Sequence, residues 1–191
     1  MKNFAAAIFR EASPYAGGGT KALSAVDLLK QADKKLATAL AGRDSERIEL
    51  SNMIGESLIA LGDAAAALQY LQPLVTSSEV APKWQRERMR AWAQIGRAQL
   101  DQGATVPAIT SFERALKKFE RLEARLTPSR AEALIGLGRA HLAQGEPAQA
   151  LPLLAQAELF WCGFDAASLS AAAAIEWLAR ARARSAADRP K

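Results

Sequence analysis

Arginine recurs at one position in three stretches of the chain, where its side chain could bind carboxylates. Arg97 and Arg139 each follow a glycine, and Arg182 follows an alanine in a similar setting. Arg90 precedes Arg97 by seven residues, which is two turns along the same face if the segment is helical. The planar guanidinium group can form paired hydrogen bonds with a carboxylate. This arginine column therefore predicts a surface that captures an acidic or carboxyl-terminal segment.

Amide and carboxylate side chains near the column admit two interpretations. Asn52 and Gln94 could add hydrogen bonds to the backbone of a bound peptide, whereas Glu56 interrupts the column in its first repeat. Alternatively, Glu132 and Glu49 neutralise the arginines across neighbouring helices, and nothing binds there. The sequence leaves both interpretations open.

The residue types needed for catalysis or metal binding are scarce. The chain has one histidine, His141, and one cysteine, Cys162, so neither an intrachain disulfide nor a Cys/His zinc cluster can form. His141 is expected to pack in the core or at the edge of a groove, and Cys162 to be a small buried side chain. No set of side chains forms a recognisable acid–base pair or nucleophile. We therefore predict no enzyme, no cofactor and no metal.

The composition indicates that helices must position these side chains. The 191 residues include 43 alanines and 24 leucines but only 4 valines and 8 isoleucines. Sheets need β-branched residues, and alanine and leucine favour helices, so the expected fold class is all-α.

An internal repeat divides the chain into similar helical units. A glycine recurs within the first helix of each unit at spacings of 41 and then 42 residues, and a second glycine follows it seven residues later. Glycine within a helix costs about 1 kcal/mol relative to alanine, so close approach of a second helix is the expected reason for the first glycine. The second glycine is expected to end the helix in a left-handed conformation. The pairs are Gly55 and Gly62, Gly96 and Gly103, and Gly138 and Gly145.

A second amphipathic helix is predicted to follow each of these stops. Each carries apolar residues at i, i+4 and i+7, which form one stripe: Ala67, Leu71 and Leu74; Ala108, Phe112 and Ala115; Ala150, Leu154 and Ala157. Pro107 and Pro147 lie near the starts of two of these helices. Thr127 and Pro128 are predicted as the N-cap and first residue of the third unit's first helix.

Together these positions resemble the pattern of the tetratricopeptide repeat (TPR) family. The close matches are Trp92, Ile95, Gly96, Ala108, Phe112 and Ala115, and the third unit matches at Leu134, Leu137, Gly138, Ala150, Leu154 and Ala157. The first unit matches with a weaker start, at Ser51, Ile54, Gly55, Ala67, Leu71 and Leu74. The chain departs from the family in its repeat length, about 42 rather than 34 residues, and in Gln99 and His141, where tyrosine is common. The resemblance implies a right-handed TPR-like solenoid of helical hairpins.

The resemblance also implies where a partner would bind. In such proteins the first helix of each pair lines a concave groove that binds peptides, so we expect a non-catalytic protein–protein interaction module. The residues expected to line that groove are Asn52, Arg90, Gln94, Arg97, Arg139 and Arg182. The array starts with Ser24 to Leu29, a polar helix and then Arg47 to Gly62. This layout is similar to the TPR region that follows bacterial Ser/Thr kinase domains and occurs in some bacterial transcription regulators. It suggests the regulatory or scaffolding part of a bacterial signalling protein, located in the cytoplasm.

The repeat also predicts the boundaries along the chain. Residues 1–21 are expected to be a mobile segment, 22–186 the solenoid and 187–191 a tail, with repeats at about 45–79, 82–124 and 128–162 and capping helices at 24–41 and 167–186. An incomplete fourth unit aligns Trp177 with Trp92. Phe160, Trp161, Phe164 and Trp177 are expected to pack together beneath the last helix.

The charge distribution bears on the kind of partner. The net charge is +5, and the excess lies in residues 77–130, which hold 11 basic and 6 acidic side chains. This favours an acidic protein or peptide, while nucleic acid is less supported because no aromatic–basic interleaving or zinc finger is present. The alternative explanation of the charge is a basic helix face that is simply solvated. No apolar run approaches the ~18 to 20 residues of a membrane span. The alternative function is a structural scaffold that forms a homodimer through its terminal helices.

Overall fold

The computed structural model describes residues 44–76, 84–122 and 126–187. These residues form seven helices. The helices are α1 (Asp44–Ala60), α2 (Ala64–Thr76), α3 (Gln85–Asp101), α4 (Thr105–Leu122), α5 (Pro128–Ala143), α6 (Pro147–Phe164) and α7 (Leu169–Ala187). The predictions for 1–21, 24–41 and 188–191 lie outside the described residues.

The helices pack as consecutive hairpins. Each helix contacts the next one along the chain, and α1, α3, α5 and α7 also contact one another in that order. The odd-numbered helices therefore form one layer, and α2, α4 and α6 cover it from the other side. This arrangement confirms the predicted all-α fold of TPR-like helical pairs. None of the helices in the described ranges has both the length and the apolar character needed to span a bilayer.

A glycine in a left-handed conformation joins the two helices of each hairpin. Gly62, Gly103 and Gly145 have φ angles of +82°, +77° and +78°. Residues with a Cβ rarely adopt this conformation, so the helix stops predicted from the second repeat glycine are confirmed. In the first hairpin, Asp63 Oδ1 then accepts a hydrogen bond from the Ala66 backbone N–H at 2.9 Å, which caps α2.

The first repeat glycine makes room for one large side chain of the partner helix. In each hairpin that side chain lies 16 residues later in the chain: Leu71 for Gly55, Phe112 for Gly96 and Leu154 for Gly138. A Cβ on these glycines would lie only 2.6 to 3.0 Å from the side chain. The predicted close helix approach is thus explained by a glycine notch filled by Leu or Phe.

Gly136 is a further notch that the repeat pattern does not reveal. A Cβ at Gly136 would lie 2.3 Å from the Phe112 ring, which belongs to the preceding hairpin. Phe112 is 2% exposed and contacts Gly96 and Gly136 at once. The ring therefore joins the second helical pair to the third.

The predicted start of the third unit is also observed. Thr127 adopts an extended conformation, and its side chain accepts a hydrogen bond from the Arg130 backbone N–H at 3.4 Å. Pro128 and Pro147 open α5 and α6, where a missing N–H leaves no helical bond unmade. Pro107 is the third residue of α4.

Candidate functional site

A groove of about 500 Å³ runs along the layer formed by α1, α3, α5 and α7. Its apolar walls include Ile135 and Trp177. Its charged and amide side chains are Glu56, Arg90, Gln94, Arg97, Glu132 and Arg139. The mixture of apolar walls and converging polar groups is typical of a binding site rather than of a packing defect.

Four of the six residues predicted for the groove are brought together there. Arg90, Gln94 and Arg97 project from α3, and Arg139 projects from α5. Asn52 lies elsewhere: its side chain is 1% exposed, and Nδ2 donates hydrogen bonds to the carbonyl oxygens of Ile48 and Glu87, both at 3.2 Å. Asn52 thus fastens α1 to α3 and does not line the groove.

Arg182, the sixth predicted residue, is exposed and does not line the groove. Positions that line the groove recur from α5 to α7 at a sequence spacing of 41 residues: Ser129 and Ser170, Glu132 and Ala173, Gly136 and Trp177. Aligning Trp177 with Trp92 instead makes Arg182 the counterpart of Arg139, at a spacing of 43 residues. The structural register makes Arg180 the counterpart of Arg139, so the column consists of Glu56, Arg97, Arg139 and Arg180.

The different register of α7 has a physical cause. Helix α7 contains no glycine notch, and alanines form most of its buried face: Ala171, Ala174 and Ala181, together with Leu178. Small, similar side chains define a helix's rotation weakly, because turning the helix changes the packed volume little. A sequence match centred on Trp177 consequently selected the wrong face.

Trp177 is a groove residue that the sequence interpretation placed in the core. The Arg139 guanidinium lies 5.0 Å from the ring centroid and the Arg180 guanidinium 4.5 Å, which are cation–π distances. Phe160, Trp161 and Phe164 do pack together, with centroids 5.2 to 5.8 Å apart, as expected. Trp177 does not belong to that cluster. Trp177 is half-buried and packs against the hydrophobic core, as expected, but its ring also contacts two arginines.

Arg139 occupies an unusual electrostatic position. Burial lowers the pKa of its guanidinium, and the positive charges of Arg97 and Arg180 lower it further, while Asp101 and Glu132 raise it. Its Nε is buried and has no hydrogen-bond partner, and its nearest carboxylate oxygen, Asp101 Oδ1, is 3.9 Å from Nη2. Arg139 therefore remains charged, and the neighbouring carboxylates neutralise its charge only in part.

The carboxylates beside the groove neutralise the arginines incompletely. Glu56 lies 3.9 Å from Arg90, and both side chains are well exposed. Glu132 accepts a hydrogen bond from the Ser170 hydroxyl, so part of its acceptor capacity is already used. Glu49 is exposed on α1 and does not line the groove.

The two residues with reactive side chains lie outside the groove lining. His141 Nδ1 is 2.8 Å from Glu146 Oε2, a contact that spans the turn between α5 and α6. His141 is buried, as predicted, but Cys162 is exposed, so its predicted burial is wrong. The residue lies on the solvent side of α6, next to the buried Trp161. In the described ranges, no three His, Cys, Asp or Glu side chains are grouped closely enough to hold a metal ion.

Comparison with known proteins relates the helical pairs to other chains. The sequence model of the tetratricopeptide repeat family matches residues 52–118 and 108–168. Two crystal structures of kinesin light chain TPR-like repeats from Podosopora anserina, one of them a substituted form, share 20% sequence identity with this chain. Their TM-scores are 0.69 and 0.62, over 98% of this chain and 87% of theirs.

A search of curated proteins found no significant match. The family model, however, covers more than half of the sequence, and the helical pairs with their glycine notches follow its repeat. The chain therefore belongs to the tetratricopeptide repeat family, whose repeats are typically non-catalytic and generally act as protein–protein interaction modules.

Proposed function

We propose that this chain is an interaction module that holds an acidic segment of a partner protein in the groove of α1, α3, α5 and α7. The observation that carries the proposal is the environment of Arg139. Its guanidinium is partly buried against Trp177, has Arg97 and Arg180 as neighbours, and meets its nearest carboxylate only at 3.9 Å. A partly buried cation among other cations favours an anion that can approach it closely.

A carboxylate from a partner fits this environment. A carboxylate can accept two parallel hydrogen bonds from one guanidinium, and charge-assisted bonds of this kind contribute about 1.5–3 kcal/mol each. The Trp177 ring holds the flat guanidinium on one face. Because the cation is already oriented, binding a carboxylate loses less conformational entropy than it would with a free surface arginine.

The groove also offers a contact for a peptide backbone. Gln94 Oε1 is buried without a hydrogen-bond partner. A buried acceptor without a donor is unfavourable, so turning the Gln94 amide into the groove to accept a hydrogen bond from a peptide N–H would relieve that cost. Gln94 thus supports a peptide ligand, rather than a small anion alone.

Charge reversal in the groove tests the proposal. We expect the double substitution Arg97→Glu with Arg139→Glu to reduce binding of a fluorescein-labelled peptide of alternating glutamate and alanine at least tenfold. The matched control is Lys117→Glu with Arg182→Glu, which changes the net charge equally at two exposed sites outside the groove. Fluorescence anisotropy measures binding, and circular dichroism checks that helicity is retained.

The control separates specific binding from general attraction. If both double variants weaken binding to the same extent, the peptide responds only to net charge, and the groove proposal is wrong. The proposal also fails if the wild-type protein binds the corresponding lysine–alanine peptide as tightly as the acidic one.

A second candidate function is a dimerising scaffold. Apolar side chains are exposed near the link between α6 and α7, at Leu159 (76%), Phe164 (62%) and Leu169 (91%). Exposed apolar residues that lie close together often mark protein interfaces. The scaffold function requires a homodimer. Sedimentation analysis tests it, because a protein that stays monomeric at high concentration rules the scaffold out.

We also propose, from the sequence resemblance, that the module serves a bacterial signalling protein in the cytoplasm. The support is the similarity of the array to repeat regions of bacterial kinases and transcription regulators. Identifying proteins captured from native lysate by the wild type, but not by the groove variant, tests this assignment.

A further inference from the structure

Asp101 is a carboxylate in an unfavourable place. It is the last residue of α3, where the carbonyl ends of the helix present partial negative charge. No basic side chain lies in the last turn of α3 to offset it. The Asp101 charge is therefore expected to lower helix stability slightly, and its presence there calls for an explanation other than the stability of α3.

The contact between Asp101 and Arg139 does not position the arginine. The distance from Asp101 Oδ1 to Arg139 Nη2 is 3.9 Å, which is too long for a hydrogen bond. The Trp177 ring, which lies against the guanidinium, orients it instead. What Asp101 supplies is negative charge close to Arg139, which is less exposed than Arg90 or Arg97, the other arginines that line the groove.

We propose that Asp101 is a built-in competitor: its negative charge weakens the binding of a carboxylate to Arg139 and so limits the affinity of the groove for a peptide. The inference rests on the proposed function of the groove. Asp101 does not line the groove, so a peptide carboxylate can reach Arg139 without displacing it. The two carboxylates would then share one guanidinium, and their mutual repulsion lowers the affinity for the peptide.

The charges of Arg97 and Arg180 act on Arg139 in the opposite direction to the charge of Asp101. Both lower the pKa of Arg139 through their positive charge, and Asp101 acts in the opposite direction. Without Asp101 the three arginines would present an excess of positive charge to any anion. With it, the groove favours a carboxylate that forms short hydrogen bonds over anions that interact only at long range.

The substitution Asp101→Asn tests this role, because it removes the charge and keeps the shape. We expect the glutamate–alanine peptide to bind about two- to fivefold more tightly, as for loss of a partly exposed ion pair. We also expect the melting temperature to change little, because relief of the unfavourable charge at the end of α3 offsets the loss of the 3.9 Å ion pair with Arg139. The control is Glu113→Gln, which removes a carboxylate from an exposed position on α4 outside the groove.

A spectroscopic readout reports on the site itself. The Arg139 Hε proton sits on a buried nitrogen without a partner, so its NMR signal should shift when a carboxylate binds. In Asp101→Asn the same shift should reach its midpoint at a lower peptide concentration. A purely structural role for Asp101 would not produce that change.

The outcomes separate the inference from the proposed function. If the wild type binds the peptide in the groove but Asp101→Asn binds it no more tightly, the competitor role is wrong while the groove proposal stands. An equal gain in Glu113→Gln, or a melting temperature lowered by several degrees in Asp101→Asn, also overturns the competitor role. If neither the wild type nor Asp101→Asn binds, both proposals fail, whereas binding by Asp101→Asn alone supports the competitor role.

Discussion

Arg97, Arg139 and Arg180 lie at equivalent places on three successive helices but in different surroundings. Arg97 and Arg180 are exposed, whereas Arg139 is partly buried between them. The central position leaves Arg139 with less water to solvate its charge. Under the proposed function, Arg139 is the main site for a carboxylate, and Arg97 and Arg180 attract the ligand from a longer distance.

Trp177 lies against the guanidinium groups of both Arg139 and Arg180, which leads to a prediction about its ring. Trp177→Leu should weaken binding of the glutamate–alanine peptide about two- to fivefold, because Arg139 loses its cation–π contact and is no longer held in one orientation. Trp177→Phe, which keeps an aromatic face, should retain most of the affinity. Isothermal titration calorimetry of both variants measures the difference. Equal losses in the two would show that the ring only fills space.

The sequence predicted the arginine site only where the repeat is regular. Arg97 and Arg139 follow repeat glycines whose notches fix the rotation of α3 and α5, so counting from the glycine places them correctly. Arg180 and Trp177 could not be placed in this way, because α7 has no notch. Applying the 41-residue spacing of Gly55 and Gly96 to Arg139, instead of aligning tryptophans, would have selected Arg180.

The helical pairs depend on complementary shapes as well as on hydrophobicity. Gly55, Gly96 and Gly138 each receive one branched or aromatic side chain from 16 residues later, and Phe112 also fills the notch at Gly136. The contact between a repeat glycine and the residue 16 positions later recurs in every hairpin and could be predicted from the sequence. Contact between Phe112 and Gly136 could not, because Gly136 corresponds to Gln94 in the preceding repeat and no periodicity marks it.

The shared notch around Phe112 predicts a coupling between two substitutions. Gly136→Ala should lower the free energy of unfolding by about 1–3 kcal/mol, because its Cβ would overlap a rigid buried ring and the gain in helix propensity, about 1 kcal/mol, is smaller. In a Phe112→Leu background the smaller side chain leaves room, so adding Gly136→Ala should cost less or become stabilising. Urea denaturation of the four proteins gives the coupling energy. Strict additivity would contradict a shared notch.

The whole array is held together by contacts between neighbours. The described helices pack mainly with those one or two places away along the chain, and α7 packs chiefly on α5 and α6. Stability in such a chain is approximately a sum of local terms, so its two ends can open independently. The groove crosses these boundaries, because α1, α3, α5 and α7 all contribute to its lining. Binding therefore depends on the order of α7, even where the rest of the array is stable.

A substitution that loosens α7 alone should reveal this dependence. Leu178 is 2% exposed and packs with Leu142 and Leu154, so Leu178→Ala should cost about 2–5 kcal/mol locally. Hydrogen exchange should then show faster amide exchange in α7, with little change in α1 and α2. Peptide affinity should fall although Arg97 and Arg139 are intact, because Trp177 leaves the groove together with α7 and no longer contacts Arg139. A uniform loss of protection across all the helices would instead show that the array unfolds as one cooperative unit, and the argument from neighbour contacts would fail.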